Sequence, residues 1–116
     1  MAAGDPGVIL VAELHGLAGR ADELGRLLDE LRDATRGEPD CIDFKLLADD
    51  SPGEIVLLIS WRNESALRHH YDTPHYRRYR EQVGPLLARP SDVLVHHVSS
   101  TLHARDPNPP EPGMFG

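Results

Sequence analysis

Two segments of this chain are apolar without alternation: Val8 to Ala12 reads Val-Ile-Leu-Val-Ala, and Ile55 to Ile59 reads Ile-Val-Leu-Leu-Ile. Successive side chains of a strand point to opposite faces, so a sheet built on these segments is apolar on both sides and needs a cover on each. A one-sided sheet open to water is thereby excluded.

The neighbouring residues supply most of the remaining elements. The first segment continues to His15 and closes at Gly16, which predicts a strand. Between Arg20 and Thr35, the residues Ala21, Leu24, Leu27, Leu28, Leu31 and Ala34 recur at spacings of three and four, which places them on one helical face. Asp22 and Glu23 stand in the first turn, Arg32 and Arg36 near the end, and Gly37 follows, as the helix dipole and C-cap favour. After a turn at Glu38-Pro39-Asp40, Cys41 to Ala48 predicts a second strand with Ile42, Phe44 and Leu46 on one face and Asp43 and Lys45 on the other. Asp49 to Gly53 predicts a hairpin loop, and Glu54 to Trp61 a third strand antiparallel to the second. Asn63 predicts the N-cap of a short helix through Tyr71. Thr73-Pro74 restarts a helix that directs Tyr76, Tyr79, Val83, Leu86 and Leu87 towards a core. Arg89-Pro90 ends it, and Asp92 to Ser100 predicts a fourth strand.

The order β-α-β-β-α-β is the split, ferredoxin-like arrangement of an α+β fold, with both helices on one face of a four-stranded antiparallel sheet. The other face is left bare, and the apolar outer residues of strands one and three call for a second copy. A two-fold contact between sheets would give a homodimer, a dimeric α+β barrel. At 116 residues one domain suffices. The expected organisation is an N-terminal tail over 1–7, the folded domain over 8–100 and a Pro-rich C-terminal tail over 101–116.

Charge and cysteine usage narrow the partners. Twelve Lys and Arg against 19 Asp and Glu give a net charge of −7, which opposes binding to nucleic acid or to an anionic membrane surface. A neutral small molecule or another protein is the expected partner. Cys41 is the only cysteine, so neither an intrachain disulfide nor a thiolate zinc cluster can form, and a reducing cytoplasm is the expected location. The first seven residues carry no basic group, and Glu13 interrupts the apolar run too soon for a signal-peptide core or a membrane span.

Particular motifs go further. The turn Glu38-Pro39-Asp40-Cys41-Ile42-Asp43-Phe44, the strand end Ile59-Ser60-Trp61-Arg62-Asn63-Glu64-Ser65-Ala66-Leu67, and His70-Tyr71-Asp72-Thr73-Pro74-His75-Tyr76 together resemble the antibiotic biosynthesis monooxygenase family. The resemblance runs over about 8–98. Its most specific parts are the acidic-Pro-x-Cys turn and the tryptophan followed nine residues later by a histidine. It implies a dimeric ferredoxin-like barrel and, as in many members, oxygenation of electron-rich phenols, quinols or anthrones with dioxygen and without metal or flavin. The family is functionally mixed. Related haem-degrading enzymes pair their tryptophan and histidine with an asparagine on the first strand, and Val8 to His15 contains none.

Such chemistry asks little of a protein: a dry pocket, a base, and donors that stabilise an anion. Among seven histidines, His70 matches the family position, and His75 opens a helix whose N-terminal dipole would keep it neutral; either is a candidate base. Trp61 offers a flat wall and one N–H donor, or packs in the core. Tyr71, Tyr76 and Tyr79 are candidates to bind substrate, although Tyr76 and Tyr79 share a helix face as core residues would. Asn63 joins the candidate binding residues, as does Glu13, a carboxylate among apolar neighbours that is either at the sheet edge or buried with a raised pKa. The adjacent pairs His69-His70 and His96-His97 diverge on helix and strand, so no metal site is expected from them. Three functions remain open: a monooxygenase acting on an aromatic substrate, a polyketide cyclase or isomerase on the same scaffold, and a non-catalytic dimer that binds small molecules.

Overall fold

The computed structural model describes residues 5–102 and Ala104. Its elements run β1 (Val8–His15), α1 (Ala21–Arg36), β2 (Cys41–Ala48), β3 (Glu54–Trp61), α2 (Glu64–Tyr71), α3 (Pro74–Val83), a single 3-10 turn at Gly84–Leu86, and β4 (Asp92–His97). The strands form one antiparallel sheet in the order β2-β3-β1-β4. This is the ferredoxin-like α+β topology. No helix among the described residues is long and apolar enough to cross a membrane.

The central ladder pairs Val8, Leu10, Ala12 and Leu14 of β1 with Trp61, Ile59, Leu57 and Ile55 of β3. These residues point to the helix side and, apart from the half-buried Ile55, are buried there with Phe44, Leu24, Leu28 and Leu31. The hairpin between β2 and β3 turns at Gly53, whose φ of 83° favours glycine. Space decides the same way, because an added Cβ would stand 3.0 Å from the Gly16 carbonyl oxygen.

Several expectations are corrected by packing. In α1, Thr35 is buried and Ala34 is exposed, one position out from the predicted stripe. Gly37 caps that helix with an ordinary φ of −78°, donating to Ala34 O rather than turning left-handed. The β2 register shifts between Cys41 and Asp43, so Cys41 rather than Ile42 packs against the core. The last strand ends at His97 instead of Ser100, because its sole partner β1 begins at Val8 and the ladder closes with Val98 N–H donating to Gly7 O. That bond also ties Gly7, expected in a tail, to the sheet. The proposed C-terminal tail over 101–116 lies almost entirely outside the described residues.

The opposite face of the sheet carries Ile9, Val11, Val56, Leu58, Leu47 and Leu94, with Asp43, Lys45, Glu13 and His96 around them. None of the six is fully buried, and no helix among the described residues covers them. Leu57 and Leu58 thus face opposite environments. Leu57→Asp places an unpaired carboxylate in a site only 2 % exposed, a cost of several kcal/mol against a typical total stability of about 5–15 kcal/mol. The variant is expected to lose its far-UV circular dichroism transition at 25 °C; a cooperative melt like that of the parent would contradict this placement.

A cavity between Trp61, His70 and three tyrosines

The site is built where β3 ends. Trp61 pairs with Val8 on one side and Cys41 on the other, which turns its ring inward to full burial. Two residues on, the Asn63 side chain accepts the Ala66 N–H at 2.8 Å and starts α2, whose inner face is Ala66, Leu67 and His70. Thr73 then reverses the chain. Its hydroxyl donates to His70 O at 2.7 Å, and the same oxygen accepts the Tyr76 N–H at 3.3 Å as the N-cap of α3.

Those two caps hold the rings in contact. The His70 centroid lies 4.8 Å from Trp61, 5.0 Å from Tyr76, 5.7 Å from His75 and 6.0 Å from Tyr71, while Tyr76 and Tyr79 are 5.9 Å apart. Trp61, His70, Tyr71, Tyr76 and Tyr79 line one cavity of about 70 Å³, floored by Leu10, Ala12, Leu57, Ile59 and Val93. It is room for about two water molecules, and so for the edge of one ring. Tyr76, Tyr79 and Val93 also border an outer concavity of about 380 Å³ with Arg80 and Pro90. The recess and this outer concavity share Tyr76, Tyr79 and Val93 as a common wall. A larger hollow of about 510 Å³ beside α1 is lined chiefly by Arg20, Glu23, Arg26, Glu30 and Glu81, with no aromatic wall and no histidine.

The electrostatics of the recess favour uncharged groups. Burial lowers the His70 pKa below its usual value and outweighs the opposing pull of Glu38, so the imidazole is neutral near pH 7. Burial pushes the Tyr79 hydroxyl up to about 12 and raises that of Tyr71, leaving both as hydrogen-bond donors. Cys41 is pushed up to about 11, again by burial, and is a thiol rather than a nucleophilic thiolate.

Behind His70 stands Glu38. Its Oε2 accepts from His70 Nδ1 at 2.6 Å and from His75 Nε2 at 2.8 Å, and the carboxylate side chain is 9 % exposed. Its Oε1 is buried with no partner among the described residues, as is Trp61 Nε1. His75 therefore joins the cluster from the rear; the cavity it borders lies beside α1 with Leu27 and Tyr79.

Two expectations fail on geometry. Asn63 spends its side chain on the α2 cap and does not line the recess. Glu13 is exposed on the far face of the sheet, so it is not a carboxylate enclosed by apolar neighbours. Sequence reasoning missed Glu38 and the buried His15, whose ring nitrogens lie 2.6 Å from Glu54 and 3.1 Å from Asp92. Hydrogen bonds from the ring to the acceptor oxygens of Asp92, then of Glu54, raise the His15 pKa. Among the described residues, groups with the composition of a metal site are Glu38 with His70 and His75, and Glu13 with His15 and Asp92, rather than the adjacent histidine pairs.

Residues 7–82 match the sequence profile of the antibiotic biosynthesis monooxygenase family. The chain belongs to this family. A Mycobacterium tuberculosis protein, Rv0793, provisionally named a monooxygenase, is 43 % identical over 72 residues, 62 % of this chain and 71 % of its own. The solved structure of Rv0793 superposes with a TM-score of 0.76 at 34 % identity, covering 85 % of this chain and 98 % of that one. A family structure from Deinococcus radiodurans, at 22 % identity, shares the fold with a TM-score of 0.78 over 85 % of this chain and 99 % of its own. An uncharacterised Synechocystis protein, sll1783, is 26 % identical over 85 % of this chain and 67 % of its own length.

Proposed function

We propose that the protein is a monooxygenase that oxidises a flat aromatic substrate, an anthrone or hydroquinone, with dioxygen and with no metal or flavin. The observation that carries this reading is the convergence of Trp61, His70, Tyr71, Tyr76 and Tyr79 on one recess. Family membership and the monooxygenase name of a relative at 43 % identity support it.

His70 is the base. It is neutral near pH 7, its Nδ1 is engaged by Glu38, and its ring borders the recess, whereas His75 faces another cavity. An anthrone methylene gives one proton to His70 Nε2 and keeps the electron pair as a carbanion. The carbanion passes one electron to dioxygen, and the radical and superoxide combine to a peroxide. Protonation by the His70 imidazolium gives the hydroperoxide, which loses water to leave the carbonyl, so one dioxygen becomes one carbonyl oxygen and one water. Trp61 and the tyrosines supply the flat wall, and protonated phenols such as Tyr79 donate to the developing oxyanion.

His70→Ala is expected to lower turnover of an anthrone by about 10² to 10⁴, the usual worth of a positioned base, while the exposed His69→Ala changes it little. Because the His70 pKa is lowered, the imidazole is the active form above that value. The rate should therefore rise with pH through a midpoint below 6.5 and be level at neutrality. Near-wild-type rates in His70→Ala would contradict the assignment. Turnover that persists without dioxygen would instead indicate a cyclase or isomerase using the same base.

The working unit we infer is a homodimer joined through the sheet face opposite the helices. Ile9, Val11, Val56, Leu58 and Leu94 form a contiguous apolar patch there, of a kind that monomers seldom expose. Light scattering should give twice the chain mass, and Leu58→Asp should shift it to a folded monomer. A parent that is monomeric at micromolar concentration would refute the dimer.

A further inference from the structure

We infer that Glu38 is the positioning residue that makes His70 a base, its single oxygen Oε2 taking the Nδ1–H of His70 and so fixing the imidazole lone pair on Nε2, at the recess. This rests on the reading of His70 as the proton acceptor. An ionised carboxylate oxygen can only accept, so both ring nitrogens that meet it, His70 Nδ1 at 2.6 Å and His75 Nε2 at 2.8 Å, carry protons. His70 Nε2 has no hydrogen-bond partner among the described residues and is not among the sealed-off polar atoms. The tautomer that leaves Nε2 unprotonated is the one able to take a proton from a molecule in the recess.

His75 locks the arrangement from the other side. It approaches the same oxygen from α3, so Glu38 cannot swing away from His70 without abandoning a second hydrogen bond. When His70 accepts a proton, the imidazolium that forms is already in contact with the carboxylate, and no group has to move. The other groups facing His70 are His69, Tyr71 and Tyr76 on the helices and Trp61 on β3, none of which offers an anion.

The same three residues have the composition of a two-histidine, one-carboxylate metal site. Their surroundings favour the hydrogen-bonded reading. His70 borders the aromatic recess, His75 the cavity beside α1, and Glu38 a hollow on the other side of Trp61, so no described cavity is shared by all three to hold an ion and its water.

Nitrogen-15 NMR of the histidine rings in the full chain at pH 7.5 tests the inference. His70 should carry its proton on Nδ1 and none on Nε2. In Glu38→Gln the amide can offer an N–H to Nδ1, which moves the ring proton to Nε2, and kcat on anthrone should fall by about 10² or more with KM little changed. A wild-type His70 protonated on Nε2 would overturn the inference whatever the variant does, as would a Glu38→Gln protein with the parent tautomer and kcat. Loss of both Glu38-bound imidazole N–H signals on adding one equivalent of Zn²⁺ would overturn it in favour of a metal site. The expected tautomer in a chain that shows no oxygen-dependent turnover would support the positioning role while removing the oxygenase reading.

Discussion

The pairing of β1 with β3 holds up both the fold and the site. Val8, Leu10, Ala12 and Leu14 stand opposite Trp61, Ile59, Leu57 and Ile55, and α1 lays Leu24, Leu28 and Leu31 into the same core. The ladder is apolar to its last rung, where Trp61 ends β3. That rung turns the largest side chain of the protein inward with its N–H unpaired, and the α2 cap at Asn63 then brings His70 back over its ring. The recess is the unfilled end of the core rather than a groove added to the surface. Its walls are accordingly apolar or aromatic, and the titratable group inside them pays in desolvation, which is why His70 is held neutral.

Neutrality alone does not make a base. An imidazole shares its one proton between two nitrogens, and the useful lone pair has to be the one at the recess. In this molecule the rear nitrogen is occupied by Glu38, which lies 32 residues earlier in the chain, in the turn before β2. The turn is held in place by Arg62 N–H donating to Asp40 O and by the pairing of Cys41 with Trp61. The tryptophan that forms one wall of the recess is thus also paired with the strand that begins just after Glu38.

Much of this architecture was legible in the sequence because its signals are local. Unbroken apolar runs gave β1 and β3, the three-and-four spacing of leucines gave α1, and Asn63 and Thr73-Pro74 marked two helix starts that the structure places at those residues. The departures arose where a neighbour decides. The register shift beside Ile42 depends on the β3 partner, the early end of β4 on where β1 begins, and the choice of Thr35 over Ala34 on which side of α1 meets the sheet. The site divides the same way. Trp61, His70 and the tyrosines lie in a short span and came from motif and helical spacing, whereas Glu38 looked only like part of a turn. Its signal was the acidic-Pro-x-Cys pattern itself, whose first residue reaches His70 only after the chain folds. Asn63 caps α2 where its position predicts a cap, and strand parity turns Glu13 to the far face of the sheet, so neither side chain reaches the recess.

As a monooxygenase of the proposed kind, the protein takes a flat aromatic molecule into the recess beside Trp61 and His70. Trp61 is the only tryptophan in the chain, so its fluorescence reports on that wall alone. An anaerobic titration with anthrone, with dioxygen withheld so that no product forms, measures entry directly. Saturable quenching at one anthrone per chain is the expected result; emission unchanged up to the solubility limit of anthrone would contradict entry beside Trp61.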